Sequence, residues 1–121
     1  MFILLVKRLR IFIIVIRLNL YFMKPYLLKD EELKELSAKI PGWEIDPKYI
    51  KREFNFDNFI EAFSFMTKIA LICEKYNHHP NWENVYSKVI IILSTHDLGG
   101  ISNLDENIAS EINSIFKPIN K

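Results

Sequence analysis

The chain has one cysteine, Cys73, among its 121 residues. That excludes an internal disulfide and fits a reducing compartment, read here as the cytoplasm. Cys73 sits within an apolar helical pattern, which makes it a packing residue rather than a reactive thiol. Charge is also scarce in net terms, at +1, so no domain-wide basic face exists to bind nucleic acid by bulk electrostatics. Internal repeats, low-complexity tracts and domain linkers are absent. The length suits one domain with one core.

Residues 1–22 lack acids altogether. Lys7, Arg8, Arg10 and Arg17 meet no carboxylate before Asp30, so the chain from Met23 onward carries about −3 once these four are set aside. Long apolar runs are missing here too. The charge-free stretch Ile11 to Ile16 falls well short of the roughly 18 to 20 residues that span a bilayer. A secretory signal would place its charges first and small residues at a cleavage site, and neither is present. Three readings remain: a basic segment for a membrane surface or organelle, an appended strand or helix, or an in-frame stretch upstream of a true start at Met23. The domain pattern begins cleanly after Met23, which favours the third and leaves 23–121 as the expected domain.

Lys29 to Ile40 carries Leu33, Leu36 and Ile40 at helical spacing, with Asp30, Glu31 and Glu32 in the first turn, where the helix dipole favours negative charge. Pro41-Gly42 ends it. Trp43 to Asp46 and Tyr49 to Phe56 then alternate as two strands of a hairpin, with Ile50, Arg52, Phe54 and Phe56 on one side. Trp43, just past the Pro-Gly break, suits either the core or a pocket wall. Asp57 is the expected N-cap of a long helix with Phe59, Ala62, Phe63, Met66, Ile69, Ala70 and Cys73 as its inner stripe. Ile60, Phe65, Leu71 and Ile72 form a second apolar stripe, which predicts packing against a partner subunit. The alternative is a helix sunk in its own monomer. This helix should stop near Asn77, because His79 precedes Pro80. Trp82 to Tyr86 and Lys88 to Thr95 read as a second hairpin with a central strand. Gly99-Gly100 makes a turn, and Ser102 to Asp105 resembles a capping box opening a helix that runs to Pro118. The order is helix, two strands, helix, two strands, helix: an α+β domain.

All three histidines fall within Glu74 to Asp105, each at a predicted element end. Two imidazoles in different surroundings can supply an acid and a base at neutral pH, and His78 and His96 are the expected pair. His79, its neighbour at a helix end, points elsewhere and should do a different job. Glu74 lies four residues before His78 and can accept a hydrogen bond from it. Asp105 is explained by the capping box alone. A metal site of Glu74, His78 and His96 is the rival, weakened by the absence of an HExxH helix or a cysteine pair.

Glu74-x-x-x-His78-His79-Pro80-x-Trp82-x-x-x-Tyr86, then Ser94-Thr95-His96 and Gly100-Ile101-Ser102-x-x-Asp105, resemble the signature of the pterin-4a-carbinolamine dehydratases. Upstream, Gly42-Trp43, Phe54-Asn55-Phe56-x-x-Phe59 and Ala62-Phe63-x-Phe65-Met66-Thr67 extend the likeness across Leu27 to Phe116. The resemblance implies a four-stranded antiparallel sheet with three helices on one face, assembled as a homodimer or homotetramer. It implies dehydration of 4a-hydroxytetrahydropterin to the quinonoid dihydropterin, recycling the pterin cofactor of aromatic amino-acid hydroxylases without any metal or organic cofactor. It makes His78 and His96 the acid-base pair and His79 a substrate-positioning residue. Trp43 becomes a pocket wall, Pro80 a loop-shaping residue, Asp105 a site residue and Glu74 a partner to a histidine. It also implies an alternative, a non-catalytic dimerisation cofactor of a transcription factor. Direct nucleic-acid contact is not expected, and membrane contact by residues 1–22 stays open.

Overall fold

A computed structural model describes residues 2–21 and 24–116. Helix α1 (Phe2–Tyr21) precedes the expected elements, and its side chains from Ile3 to Ile14 are exposed. Among the described residues, no helix is long and apolar enough to cross a membrane. Then follow α2 (Asp30–Lys39), β1 (Glu44–Ile45), β2 (Ile50–Asn55), α3 (Phe59–Tyr76), β3 (Asn81–Val85), β4 (Lys88–Leu93), a 3₁₀ turn (His96–Leu98) and α4 (Asn103–Ile115). Pro118, the expected helix stop, lies outside the described residues.

The strands form one antiparallel sheet in the order β1-β2-β4-β3, so the apolar β4 is central as its sequence predicts. Alternation decides which side chains face inward. Ile50 and Phe54 of β2, and Val89, Ile91 and Leu93 of β4, share one core with Leu36 of α2, Ile40 at its C-cap, Ala62, Ile69 and Cys73 of α3, and Ile108 and Ile112 of α4. Ile90 and Ile92, one residue out of phase, are only half-buried. Gly42 is required at its turn, with φ of +87° and an added Cβ only 2.8 Å from the Arg52 guanidinium carbon.

The α3 stripe differs from the sequence expectation. Asn58, not Asp57, caps the helix, its side chain accepting from the Glu61 amide at 2.9 Å. The buried set is Ala62, Phe65, Ile69 and Cys73, a regular stripe at spacings of three and four. Phe65 therefore belongs to the core, while Phe59 and Phe63, placed inward from sequence, are exposed beside Ile60 and Leu71. Ala62, Ile69 and Cys73 are buried as the sequence places them, so the departure lies in Phe59 and Phe63, which turn outward, and Phe65, which turns inward.

Helix α3 stops at Tyr76 because Asn77 takes a left-handed conformation (φ 49°). The His78 amide then donates back to the Cys73 carbonyl and the Asn77 amide to the Glu74 carbonyl, each at 3.1 Å. This closes the helix end in the Schellman manner.

Candidate active site

Antiparallel register brings three strand ends together. Ile50, the first residue of β2, pairs with Leu93, the last of β4, and Asn81, the first of β3, pairs with Ile92. Residues 48–49, 78–80 and 94–96 consequently emerge at the same end of the sheet. There a cleft of about 340 Å³ is lined by Lys48, Tyr49, Asn81, Ile92, Ser94, His96, Gly99 and Gly100. His96 is exposed on its 3₁₀ turn, which Gly99 closes at φ +73°. A larger depression of about 530 Å³ between α3 and the end of α4 has Phe56, Ile60, Phe65 and Phe116 among its walls and no histidine.

His78 is held from behind. Its Nε2 lies 2.6 Å from Asp105 Oδ1, with 12 % of the imidazole side chain and none of the carboxylate exposed. The other carboxylate oxygen, Oδ2, accepts from the Thr95 hydroxyl and the Ser102 amide, both at 2.8 Å. Asp105 thus fills both roles that the sequence left open, one oxygen closing the capping box of α4 and the other holding a histidine. The loop segment before α2 braces this helix start: Leu28 donates to the Ile101 carbonyl at 2.9 Å, and the Tyr26 amide to Asn103 Oδ1 at 2.9 Å.

Glu74 does not pair with His78. The left-handed turn at Asn77 breaks the helical geometry on which the four-residue spacing relied, and His79 Nε2 meets Glu74 Oε1 instead, at 2.6 Å. Both partners are largely exposed, at 56 % and 74 %, so solvent screening keeps this pair to about 1 kcal/mol or less. Glu74, His78 and His96 accordingly do not form the metal set considered from sequence. No group of three or more His, Cys, Asp or Glu among the described residues is placed to hold a metal ion.

Trp43 is placed in the core rather than along the cleft. It is 6 % exposed, packs edge-on to Phe54 with centroids 6.0 Å apart, and donates its indole N–H to Asn113 Oδ1 at 2.8 Å. Asn113 Oδ1 also accepts from Arg52 at 2.6 Å, and burial draws that guanidinium down from its ordinary value. Pro80, half-buried, sits between His79 and the first residue of β3. Thr95 and Ser102 were visible only as members of motifs, and Lys48, Tyr49 and Asn81 not at all, because register rather than spacing brings them here.

Below the site, α3 is tied to α4. The Tyr76 hydroxyl and Lys75 both donate to Glu111. Burial and then the Glu111 hydrogen bond push the Tyr76 phenol up to about 12. Burial would raise the Glu111 carboxyl, but the hydrogen bonds from Lys75 and Tyr76 outweigh it and the net shift is downward.

The fold is an antiparallel α+β sheet with a small open cleft at one end of its strands; His96 lines that cleft, and His78 and His79 lie in the loop that leads into β3 at the same end of the sheet. Residues 26–115 match the sequence profile of the family described as pterin 4 alpha carbinolamine dehydratase. A protein of Prochlorococcus marinus strain MIT 9515, assigned by name to the pterin-4-alpha-carbinolamine dehydratases, is 81 % identical over 95 residues, covering 78 % of this chain and 99 % of its own length. One from strain SARG is 54 % identical over 94 residues, covering 77 % and 97 %. The crystal structure of a "transcriptional coactivator/pterin dehydratase" from Brucella melitensis superposes with a TM-score of 0.70 at 38 % identity, over 74 % of this chain and 98 % of that one. The chain belongs to the pterin 4 alpha carbinolamine dehydratase family, a family of hydro-lyases.

Proposed function

We propose that this protein dehydrates a 4a-hydroxytetrahydropterin to the quinonoid dihydropterin, with His78 and His96 as the proton-transfer pair. One imidazole removes the proton from the pterin ring nitrogen. The other gives a proton to the carbinol oxygen, the C–O bond breaks, the C=N bond forms, and water leaves. The observation that carries this reading is that two unlike histidines leave the sheet at the same end: His78 backed by a buried carboxylate, His96 open on the cleft. His79, with Glu74 behind it, positions the substrate, and Pro80 shapes the loop that presents it. Lys48, Tyr49 and Asn81 offer polar contacts to the edge of a flat heterocycle.

Residues 24–116 carry both fold and site in this reading. The exposed Phe59, Ile60, Phe63 and Leu71 of α3 form the face through which the protein assembles with itself. The test is a stopped assay on synthetic 4a-hydroxytetrahydropterin. Positioned acid-base groups contribute on the order of 10² to 10⁴ in rate, so His78→Ala and His96→Ala should each slow turnover within that range without loss of fold. Parental rates in both variants would sink the proposal.

A further inference from the structure

Asp105 is wholly buried, and as a carboxylate it can only accept hydrogen bonds. That fixes the direction of every bond around it. Thr95 has one hydroxyl proton and gives it to Asp105 Oδ2 at 2.8 Å. The contact between the Thr95 and Ser102 hydroxyls must therefore be donated by Ser102, whose oxygen in turn accepts from the Leu104 amide at 3.2 Å. The result is a one-way chain from the amide end of α4 through Ser102 and Thr95 to the carboxylate. At the other oxygen, His78 Nε2 is therefore the donor.

Thr95 also holds the second histidine through its backbone. Its amide donates to the Gly100 carbonyl at 2.8 Å, and its carbonyl accepts from Leu98 at 3.1 Å, clamping the turn that starts at His96. We infer that Thr95 is a positioning residue for the dehydration: its hydroxyl orients Asp105 and so fixes the tautomer and ring direction of His78, while its backbone anchors the His96 turn. The inference rests on the acid-base reading above. It assigns a role to a buried 6 %-exposed threonine that a core valine would otherwise fill.

The experiment is steady-state kinetics on 4a-hydroxytetrahydropterin with the full chain. Loss of a group that orients a working histidine costs roughly 10- to 100-fold in activity, so Thr95→Val should lower kcat by about tenfold or more with KM within about twofold. Thr95→Ser, which keeps the hydroxyl, should restore kcat to within about threefold of the parent. The double variant T95V/H78A should be no slower than His78→Ala alone, because the hydroxyl acts through that ring. Should Thr95→Val fail to fold, Thr95→Cys, with its weak thiol donor, takes its place in the same comparison. If His78→Ala is impaired while folded Thr95→Val is not, or if the two losses multiply, the positioning inference is overturned and the acid-base reading survives. A fully active His78→Ala would instead overturn the acid-base reading itself.

Discussion

At the scale of single residues, Asp105 shows how one side chain can satisfy two accounts that look exclusive. Its position three residues after Ser102 is the mark of a capping box, and nothing in that spacing announces a histidine 27 residues upstream. The two oxygens separate the roles, and a substitution can separate them again. In Asp105→Asn the amide oxygen can still accept from Ser102 and Thr95, but the NH₂ group facing His78 would demand an unprotonated Nε2, the wrong tautomer. Turnover should fall on the order of 10² to 10⁴ fold while the thermal midpoint drops by only a few degrees. An activity loss matched by unfolding at assay temperature would count against this account. Cys73 offers a second residue-scale prediction. Burial, followed by the nearby Glu74 charge, raises its thiol from an ordinary 9.0 to about 11. Folding thus favours the protonated thiol, and the associated stability is complete below pH 9 and lost as the pH rises from about 9 to 11. Thermal melts at pH 8 and pH 10.5 should show a larger drop for the parent than for Cys73→Ala. Tyr76, raised to about 12, prolongs the loss beyond that window in both proteins.

At the scale of elements, α3 is where sequence periodicity had two answers. Ala62, Ile69 and Cys73 face inward as periodicity expects, and the sheet beneath adds Phe65 from the second stripe. Phe65 packs against Phe54 of β2 and Phe56 just beyond it, with centroids 4.9 Å away in each case. The helix ends are set locally. Asn58→Ala removes the side chain that accepts from Glu61 and should cost about 1 kcal/mol, measurable by urea denaturation, whereas Asp57→Ala should cost much less. Equal losses would show that the cap had been assigned to the wrong residue. At the other end, the left-handed Asn77 rather than the proline two residues beyond His78 stops the helix. That is why Glu74 faces His79, a pairing that helical spacing could not yield.

At the scale of the whole molecule, the outer side of α3 is exposed, as are the side chains of α1 from Ile3 to Ile14. Charges on the α3 face should oppose self-association, so Ile60→Glu together with Phe63→Glu should shift the protein to a lower-mass species in sedimentation velocity. Its far-UV spectrum should stay unchanged. An unchanged sedimentation profile would count against α3 as an assembly surface. A chain beginning at Met23 should keep the parental kcat and KM, since the site is built from Lys48 onward and the family match begins at residue 26.

The sequence by itself determined the order of α2 to α4 and the four strands, the central place of β4, the capping box at Ser102 and the cluster of histidines at element ends. These follow from periodicity, turn chemistry and residue type, which are local properties. Tertiary structure decided what depends on contacts between distant segments. It turned Phe65 of α3 to the sheet and Phe59 and Phe63 away from it, and it placed Trp43 against Asn113. It turned Glu74 to His79, and it put Asp105 and Thr95 behind His78. A hydrogen bond between residues 27 positions apart is fixed by strand register and helix packing together, and neither leaves a mark in the spacing of residues along the chain.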